Sequence, residues 1–143
     1  MNGINGVGKS SLSKAIALNV VLAQVGLYVP SRMKFYPYKK LFTRILSNDS
    51  LFSGLSSFQK EIFEVKSILG QGDGNSLILG DEIFSSTETE SAVALISGCI
   101  QELHNMRSSF IFATHFKELY ILPEIKDLLE KNLKVYHLSV TFK

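Results

Sequence analysis

The chain is poor in the residues that define several protein classes. Its 143 residues include one cysteine, Cys99, three prolines and no tryptophan. A single cysteine cannot form an internal disulfide, so the composition excludes a disulfide-stapled secreted module and favours an intracellular, reducing compartment. The longest apolar stretch, residues 16–29, is interrupted by Asn19 and Gln24. It is too short and too polar for a transmembrane helix, so we expect no membrane partner.

The sequence also lacks a strong excess of charge of either sign. Its 15 Lys and Arg residues against 13 Asp and Glu residues give a net charge of +2. Charge alone therefore does not indicate nucleic-acid binding. Because 45% of the residues are hydrophobic and no repeat or linker divides the chain, residues 1–143 are predicted to form one α/β domain.

Hydrophobic periodicity predicts strands that alternate with helices. Residues 11–25 are apolar on nearly all sides, which predicts a helix buried in the interior, whereas residues 34–46 predict a short hairpin or two edge strands. The other predicted elements are amphipathic helices at 58–69 and 88–104, strands at 76–79, 110–113 and 133–140, and a short helical stretch at 116–122 that stops at Pro123. This alternation favours a mostly parallel sheet flanked by helices.

Residues 3–10 match the phosphate-loop pattern G-x-x-x-x-G-K-[ST] in full, with the sequence GINGVGKS. Glycines allow successive backbone N–H groups to surround an anionic phosphate, and the helix that follows directs its positive dipole end at the same anion. Lys9 can reach the β- and γ-phosphates, and the Ser10 hydroxyl can bind Mg²⁺. The simpler alternative is a glycine-rich turn that caps a helix, and the complete spacing favours phosphate binding over it.

Two adjacent carboxylates, Asp81 and Glu82, follow the apolar residues 76–79. In an open parallel sheet, ligands bind at the carboxyl ends of the strands. Asp81 is therefore predicted to hold Mg²⁺, and Glu82 is predicted to orient the attacking water as a general base. The alternative is that the pair only caps the next helix.

Thr114 and His115 follow the apolar residues 110–113 in the same way. A parallel strand beside the acidic one would bring His115 to the same edge of the sheet. There its imidazole can donate a hydrogen bond to the γ-phosphate or to the attacking water.

Four segments in order resemble the C-terminal, ABC-type ATPase domain of the MutS DNA mismatch repair family. Residues 3–11, 76–83 and 112–119 are similar to its nucleotide motifs, with the sequences GINGVGKSS, SLILGDEI and FATHFKEL. Residues 49–61, DSLFSGLSSFQKE, resemble its signature segment. Residues 36–45 and 84–90 look most like the divergent MutS branch of large DNA viruses and organelles.

The resemblance implies a P-loop NTPase that couples ATP and Mg²⁺ to the binding of mismatched double-stranded DNA. It implies catalytic roles for Lys9, Glu82 and His115, and metal binding by Ser10 and Asp81. The implied nucleotide-binding residues are Gly3, Asn5, Gly6, Val7, Gly8, Lys9, Ser10 and Ser11, together with Ser56, which would reach the ATP of the partner in a homo- or heterodimer of ATPase domains.

The chain departs from the family pattern in several places. Residues 84–87 replace a glycine-rich loop, and Ser57 replaces a threonine. The strand expected before the phosphate loop, the adenine-stacking residue, the mismatch-reading regions and the C-terminal dimerising helices are not found. We therefore expect a domain truncated at both ends, with weak or absent ATPase activity by itself. Two alternatives stay open: a nucleotide-binding subunit of another ABC-type system, such as a transporter, and a nucleotide-binding remnant without turnover.

A basic and aromatic cluster admits two interpretations. Residues 34–44 contain Lys34, Lys39, Lys40 and Arg44, together with the aromatic residues Phe35, Tyr36 and Tyr38. Such a pattern can bind nucleic acid, but a solvated edge of the sheet explains it more simply.

Overall fold

In the described part of the chain, the core of the fold is a parallel three-stranded sheet. The computed structural model describes Met1, residues 8–44 and residues 57–139, with the backbone alone at Ser57. The strands are β1 (Lys40–Arg44), β2 (Ser76–Asp81) and β3 (Ser109–Ala113), in the order β1-β2-β3. Both pairings are parallel, with Lys40 opposite Ser76 and Leu77 opposite Ser109. Every residue of β2 is buried, which explains why its sequence is a continuous apolar run.

Helices cover both faces of this sheet. They are α1 (Lys9–Gln24), α2 (Ser57–Gln71), α3 (Thr89–Asn105) and α4 (Pro123–Lys131), with a 3-10 turn at Glu118–Ile121. Leu77, Leu79 and Ile111 pack with Val20 of α1 on one face. Phe110 and Phe112 alternate with Ile111 along β3, and they pack on the other face with the core formed by α2, α3 and α4. The predicted α/β architecture with a parallel sheet is confirmed.

The prediction that the first helix is buried in the interior is wrong. Within α1 only Lys9, Ser13 and Val20 are buried, and Leu18 is 59% exposed. The reason is that α1 meets the described part of the sheet along one face only. Apolar residues on the opposite side of α1 are therefore exposed, and the helix is not enclosed on all sides.

The predicted hairpin at residues 34–46 is also not formed within the described part of that segment. One strand, β1, pairs in parallel with β2, and the preceding chain is tied to α1 because Gln24 Oε1 accepts a hydrogen bond of 2.8 Å from the Tyr38 N–H. Lys40 Nζ lies 2.7 Å from Asp73 Oδ2, and Arg44 forms ion pairs with Glu61 and Glu64 of α2. Two of the four clustered basic residues thus have acidic partners, which favours the solvated-edge interpretation.

The C-terminal part of the fold differs from the prediction at two places. Pro123 begins α4 and does not end a helix, because its missing N–H and fixed φ suit the first helical position. The strand predicted at 133–140 is not formed in the described residues 133–139, where His137 makes a single-residue bridge. The helix α4 was not predicted, and it covers the core with Ile125 and Leu128.

Two further observations concern the Cys99 thiol and the hydropathy of the described helices. Burial raises the pKa of the Cys99 thiol to about 11, so this side chain is protonated and unreactive at neutral pH. None of the described helices is long and apolar enough to cross a membrane.

Candidate functional site

The start of α1 and the end of β2 meet at one edge of the sheet. Lys9, the first residue of α1, directs its Nζ to 3.4 Å from Oε1 of Glu82, the residue that follows β2. The Lys9 side chain is 3% exposed and that of Glu82 is 23% exposed. The predicted phosphate-loop lysine and the predicted general base therefore face each other at this edge of the sheet.

Gly8 sets the direction in which the chain enters α1. It occupies the N-cap position with a φ of 96°, in the left-handed region. A Cβ built at this position would meet no atom within 4 Å, so the backbone conformation and not space favours glycine here. Ser10 is half-buried and Ser11 is exposed in the first turn of the helix. The predicted nucleotide-binding residues Gly3, Asn5, Gly6, Val7 and Ser56 lie outside the described residues.

Asp81 is the buried member of the acidic pair. It ends β2, is 4% exposed, and its Oδ1 atom is buried without a hydrogen-bond partner in the described part of the protein. A buried carboxylate oxygen without a partner is costly unless a ligand compensates it. No three His, Cys, Asp or Glu residues cluster as a metal site among the residues described. The predicted ligands, the Asp81 carboxylate and the Ser10 hydroxyl, suit Mg²⁺, because this ion keeps several waters and also binds phosphate oxygens.

Glu82 is held by its backbone as well as by its ion pair. Its N–H donates a 2.9 Å hydrogen bond to the carbonyl of Ala113, and its φ is 49°. Gly80, two residues before Glu82, allows β2 to pack closely against β3, since a Cβ there would lie 2.8 Å from the Phe112 ring. The end of β2 is thereby fixed against β3.

His115 lies at the same edge, two residues beyond the Ala113 that pairs with Asp81. Its side chain is exposed, and its ring centroid lies 4.3 Å from that of Phe116. Thr114 Oγ1 accepts a 3.1 Å hydrogen bond from the Phe116 N–H, which shapes the turn after β3. The structure thus places His115 at the same edge of the sheet as Asp81, with an exposed side chain.

Met1 occupies a strand position beside β3, which the sequence did not indicate. Its N-terminal group donates to the Phe112 carbonyl, and its own carbonyl accepts a 3.0 Å hydrogen bond from the Thr114 N–H. This pair of bonds is the pattern of a parallel strand. Burial lowers the pKa of the Met1 amino group, and the charge of Lys9 lowers it further. A mostly apolar cavity of ≈ 810 Å³, lined in part by Ile16, Ile100 and Phe110, adjoins this position.

A second charged group that the sequence patterns do not indicate is the buried carboxylate of Glu61. Glu61 of α2 is 2% exposed, and its Oε1 lies 3.8 Å from Arg44 Nη2 at the end of β1. Its Oε2 accepts a 3.4 Å hydrogen bond from Ser86 Oγ. The only signal in the sequence was a glutamate close to the apolar stripe of α2.

Comparison with known proteins gives consistent matches over nearly the whole chain. Residues 1–142 match the sequence model of a family described as MutS domain V. The chain is 42% identical over 138 residues to the mitochondrial DNA mismatch repair protein mutS homolog of Sarcophyton glaucum, covering 96% of this chain and 13% of that protein. It is 37% identical over 142 residues to a DNA mismatch repair protein mutS homolog of Acanthamoeba polyphaga mimivirus, covering 96% and 12%.

A bacterial relative matches over a similar range. The DNA mismatch repair protein MutS of Bacillus cereus is 37% identical over 137 residues, which cover 94% of this chain and 15% of that protein. The chain thus spans 12 to 15% of the length of these three relatives. The resemblance predicted from the motifs is confirmed by these matches.

Proposed function

Because this chain belongs to the MutS family through its domain V, we propose that it is an ATP-binding, Mg²⁺-dependent P-loop NTPase domain. Its place would be the motor of a MutS-like mismatch repair protein, coupling ATP to the binding of mismatched DNA through other regions. The observation that carries this proposal is the ion pair at the carboxyl end of β2, where Lys9 Nζ lies 3.4 Å from Glu82 Oε1.

Lys9 and the start of α1 would hold the phosphates of the nucleotide. The lysine ammonium is buried and already faces an anion. The first N–H groups of α1 have no partners within the helix, and the helix dipole adds positive potential at the same point. Together with residues 3–8, these groups would bind the β- and γ-phosphates.

Ser10 and Asp81 would hold the Mg²⁺ ion. The unpartnered Oδ1 of Asp81 supports this assignment, since a cation would compensate a carboxylate that is otherwise costly to bury. When bound, the ion would neutralise charge on the phosphate oxygens.

Glu82 would orient the attacking water and accept its proton. In the structure Glu82 is the anion that faces Lys9. A bound phosphate would replace it as the partner of Lys9 and leave the carboxylate able to accept a hydrogen bond from water. The accessible imidazole of His115 would donate to the phosphate or the water from the neighbouring strand.

The site would be completed by a second ATPase domain. The resemblance implies that Ser56 would reach a partner's nucleotide, so a homo- or heterodimer would be required for full turnover. Membership of the MutS family disfavours the transporter alternative. A nucleotide-binding remnant without turnover is the second candidate.

The experiment that tests the proposal is a titration with a fluorescent, non-hydrolysable ATP analogue, with and without Mg²⁺. The wild-type chain is expected to bind it in a Mg²⁺-dependent manner. Lys9→Ala is expected to weaken binding at least about tenfold, because charge-assisted hydrogen bonds to phosphate are lost. Lys14→Ala, which removes an exposed lysine of the same helix, is the matched control. Equal binding by wild type and Lys9→Ala would overturn the proposal.

A further inference from the structure

The turn that follows the acidic pair has an unusual backbone. Glu82 and Phe84 have φ values of 49° and 59°, in the left-handed region that residues with side chains seldom adopt. Within the turn, the Ser85 N–H bonds to the Glu82 carbonyl and the Thr87 N–H bonds to the Phe84 carbonyl, each at 3.3 Å. Such a conformation persists only where surrounding contacts hold it.

Helix α2 supplies two of those contacts from outside the turn. The Phe58 ring packs edge-on against the buried Phe84 ring, with centroids 6.3 Å apart. Glu61 Oε2 accepts a hydrogen bond of 3.4 Å from Ser86 Oγ. Phe58 and Glu61 are three residues apart and therefore lie on one face of α2. We refer to Phe58, Glu61, Phe84 and Ser86 as the turn clamp.

Burial of the Glu61 carboxylate costs more free energy than a purely structural contact requires. It is 2% exposed, its charged partner Arg44 is 3.8 Å away, and its Oε1 has no hydrogen-bond partner in the described part of the chain. Buried charges cost free energy unless they are well compensated, and apolar residues often serve stability as well. The position of this carboxylate next to the turn that carries Glu82 therefore points to a role at the site.

We propose that Glu61 is a positioning residue, which keeps the turn after β2 in the conformation that directs Glu82 onto Lys9. Arg44, at the end of β1 opposite Gly80, provides the counter-charge that keeps the Glu61 carboxylate in place. Glu61 acts through Ser86 and the turn, and does not itself touch the nucleotide. This inference rests on the proposed function, since it assigns a role relative to the Lys9–Glu82 pair.

The test uses nucleotide affinity, which separates positioning from structural damage. If Glu82 competes with phosphate for Lys9, a displaced Glu82 competes less. Glu61→Ala and Glu61→Gln are therefore expected to raise the affinity for the fluorescent ATP analogue severalfold, by about two- to fivefold. The same substitutions in a Glu82→Gln background are expected to change it by less than about 1.5-fold, because no competing charge remains. Glu64→Gln is the matched control, since Glu64 pairs with the same Arg44 on α2 but is 52% exposed.

A second measurement reports on the turn directly. Hydrogen exchange of the Glu82 amide, which bonds to the Ala113 carbonyl, is expected to accelerate about tenfold or more in Glu61→Ala. The amides of Leu77 and Leu79 in β2 serve as internal references, and their exchange is expected to stay unchanged. The Gln variant, which keeps the shape of the side chain, covers the case in which the alanine variant fails to fold.

Each outcome of these measurements tests either the positioning role of Glu61 or the proposed function. Lower affinity in the Glu61 variants, an equal effect in the Glu82→Gln background, or unchanged exchange at Glu82 would overturn the positioning role. Failure of wild type to bind the analogue, or full binding by Lys9→Ala, would overturn the proposed function instead, and the exchange measurement would then decide the positioning of Glu82 alone.

Discussion

Glu82 Oε1 lies 3.4 Å from Lys9 Nζ, so the proposed general base is also the anion that faces the proposed phosphate-binding lysine. A lysine that is 3% exposed needs an anionic partner, because an uncompensated buried ammonium is costly. The carboxylate therefore stabilises the nucleotide-free structure. In the proposed function the same contact would make it a competitor of the incoming phosphate.

Substitution of Glu82 is expected to have opposite effects on binding and on turnover. Glu82→Gln removes the competing charge, so the affinity for the ATP analogue should rise severalfold, by about two- to tenfold. The rate of ATP turnover should fall by roughly 10²–10⁴ because the proposed general base is lost. Glu130→Gln on the exposed side of α4 should change neither quantity. Weaker binding by Glu82→Gln would contradict the competition.

Substitution of Asp81 is expected to preserve or raise the stability of the fold and to weaken the effect of Mg²⁺ on nucleotide binding. Asp81→Asn replaces a buried carboxylate, whose Oδ1 has no hydrogen-bond partner in the described residues, by a neutral group of similar shape. We expect the urea midpoint of unfolding to stay the same or rise, since the cost of a buried charge is removed. The gain in nucleotide affinity that Mg²⁺ produces should fall about tenfold. A variant that keeps the full Mg²⁺ dependence would argue against this metal ligand.

The exposed pair Asp73–Lys40 provides a pH-dependent part of the stability. Hydrogen bonds from Lys40, from the Asn75 N–H and from Ser76 lower the pKa of Asp73 from 3.8 to about 2. A lowered folded-state pKa contributes stability that is present above the unfolded-state value of 3.8 and is lost as the pH falls through about 2. Denaturant unfolding between pH 2 and pH 7 should show this loss in wild type.

Asp73→Asn tests that assignment. The variant should be slightly less stable than wild type at pH 7, and its stability should fall less steeply below pH 4. Asp127→Asn, which breaks the exposed Asp127–Lys131 pair in α4, is the control. A pH profile of Asp73→Asn that parallels wild type would show that Asp73 contributes nothing in this range.

The sequence predicted those parts of the fold in which one pattern dominates. The all-buried β2 and the one-sided helices α2 and α3 were predicted within a few residues, because their apolar spacing has a single structural solution. The approach of Lys9 to Glu82 followed from the rule that ligands bind at the carboxyl edge of a parallel sheet.

The remaining features depend on information that periodicity does not contain. The apolar content of α1 could not reveal that Leu18 faces outward, because exposure depends on which elements lie beside the helix. The Glu61–Arg44 contact joins residues from a helix and a strand, and charge pairing across elements has no sequence period. Pro123 predicts the end of a helix, but proline also suits the first turn of a helix, which is where the structure places it.

The centre of β2 is expected to be the most sensitive packing position. Leu79 is fully buried between α1 and the neighbouring strands. Leu79→Ala should lower the free energy of unfolding by about 2–5 kcal/mol, through lost transfer free energy and the remaining cavity. Leu18→Ala, on the exposed side of α1, should change it by less than about 0.5 kcal/mol. Equal losses in the two variants would show that α1 does not pack as described.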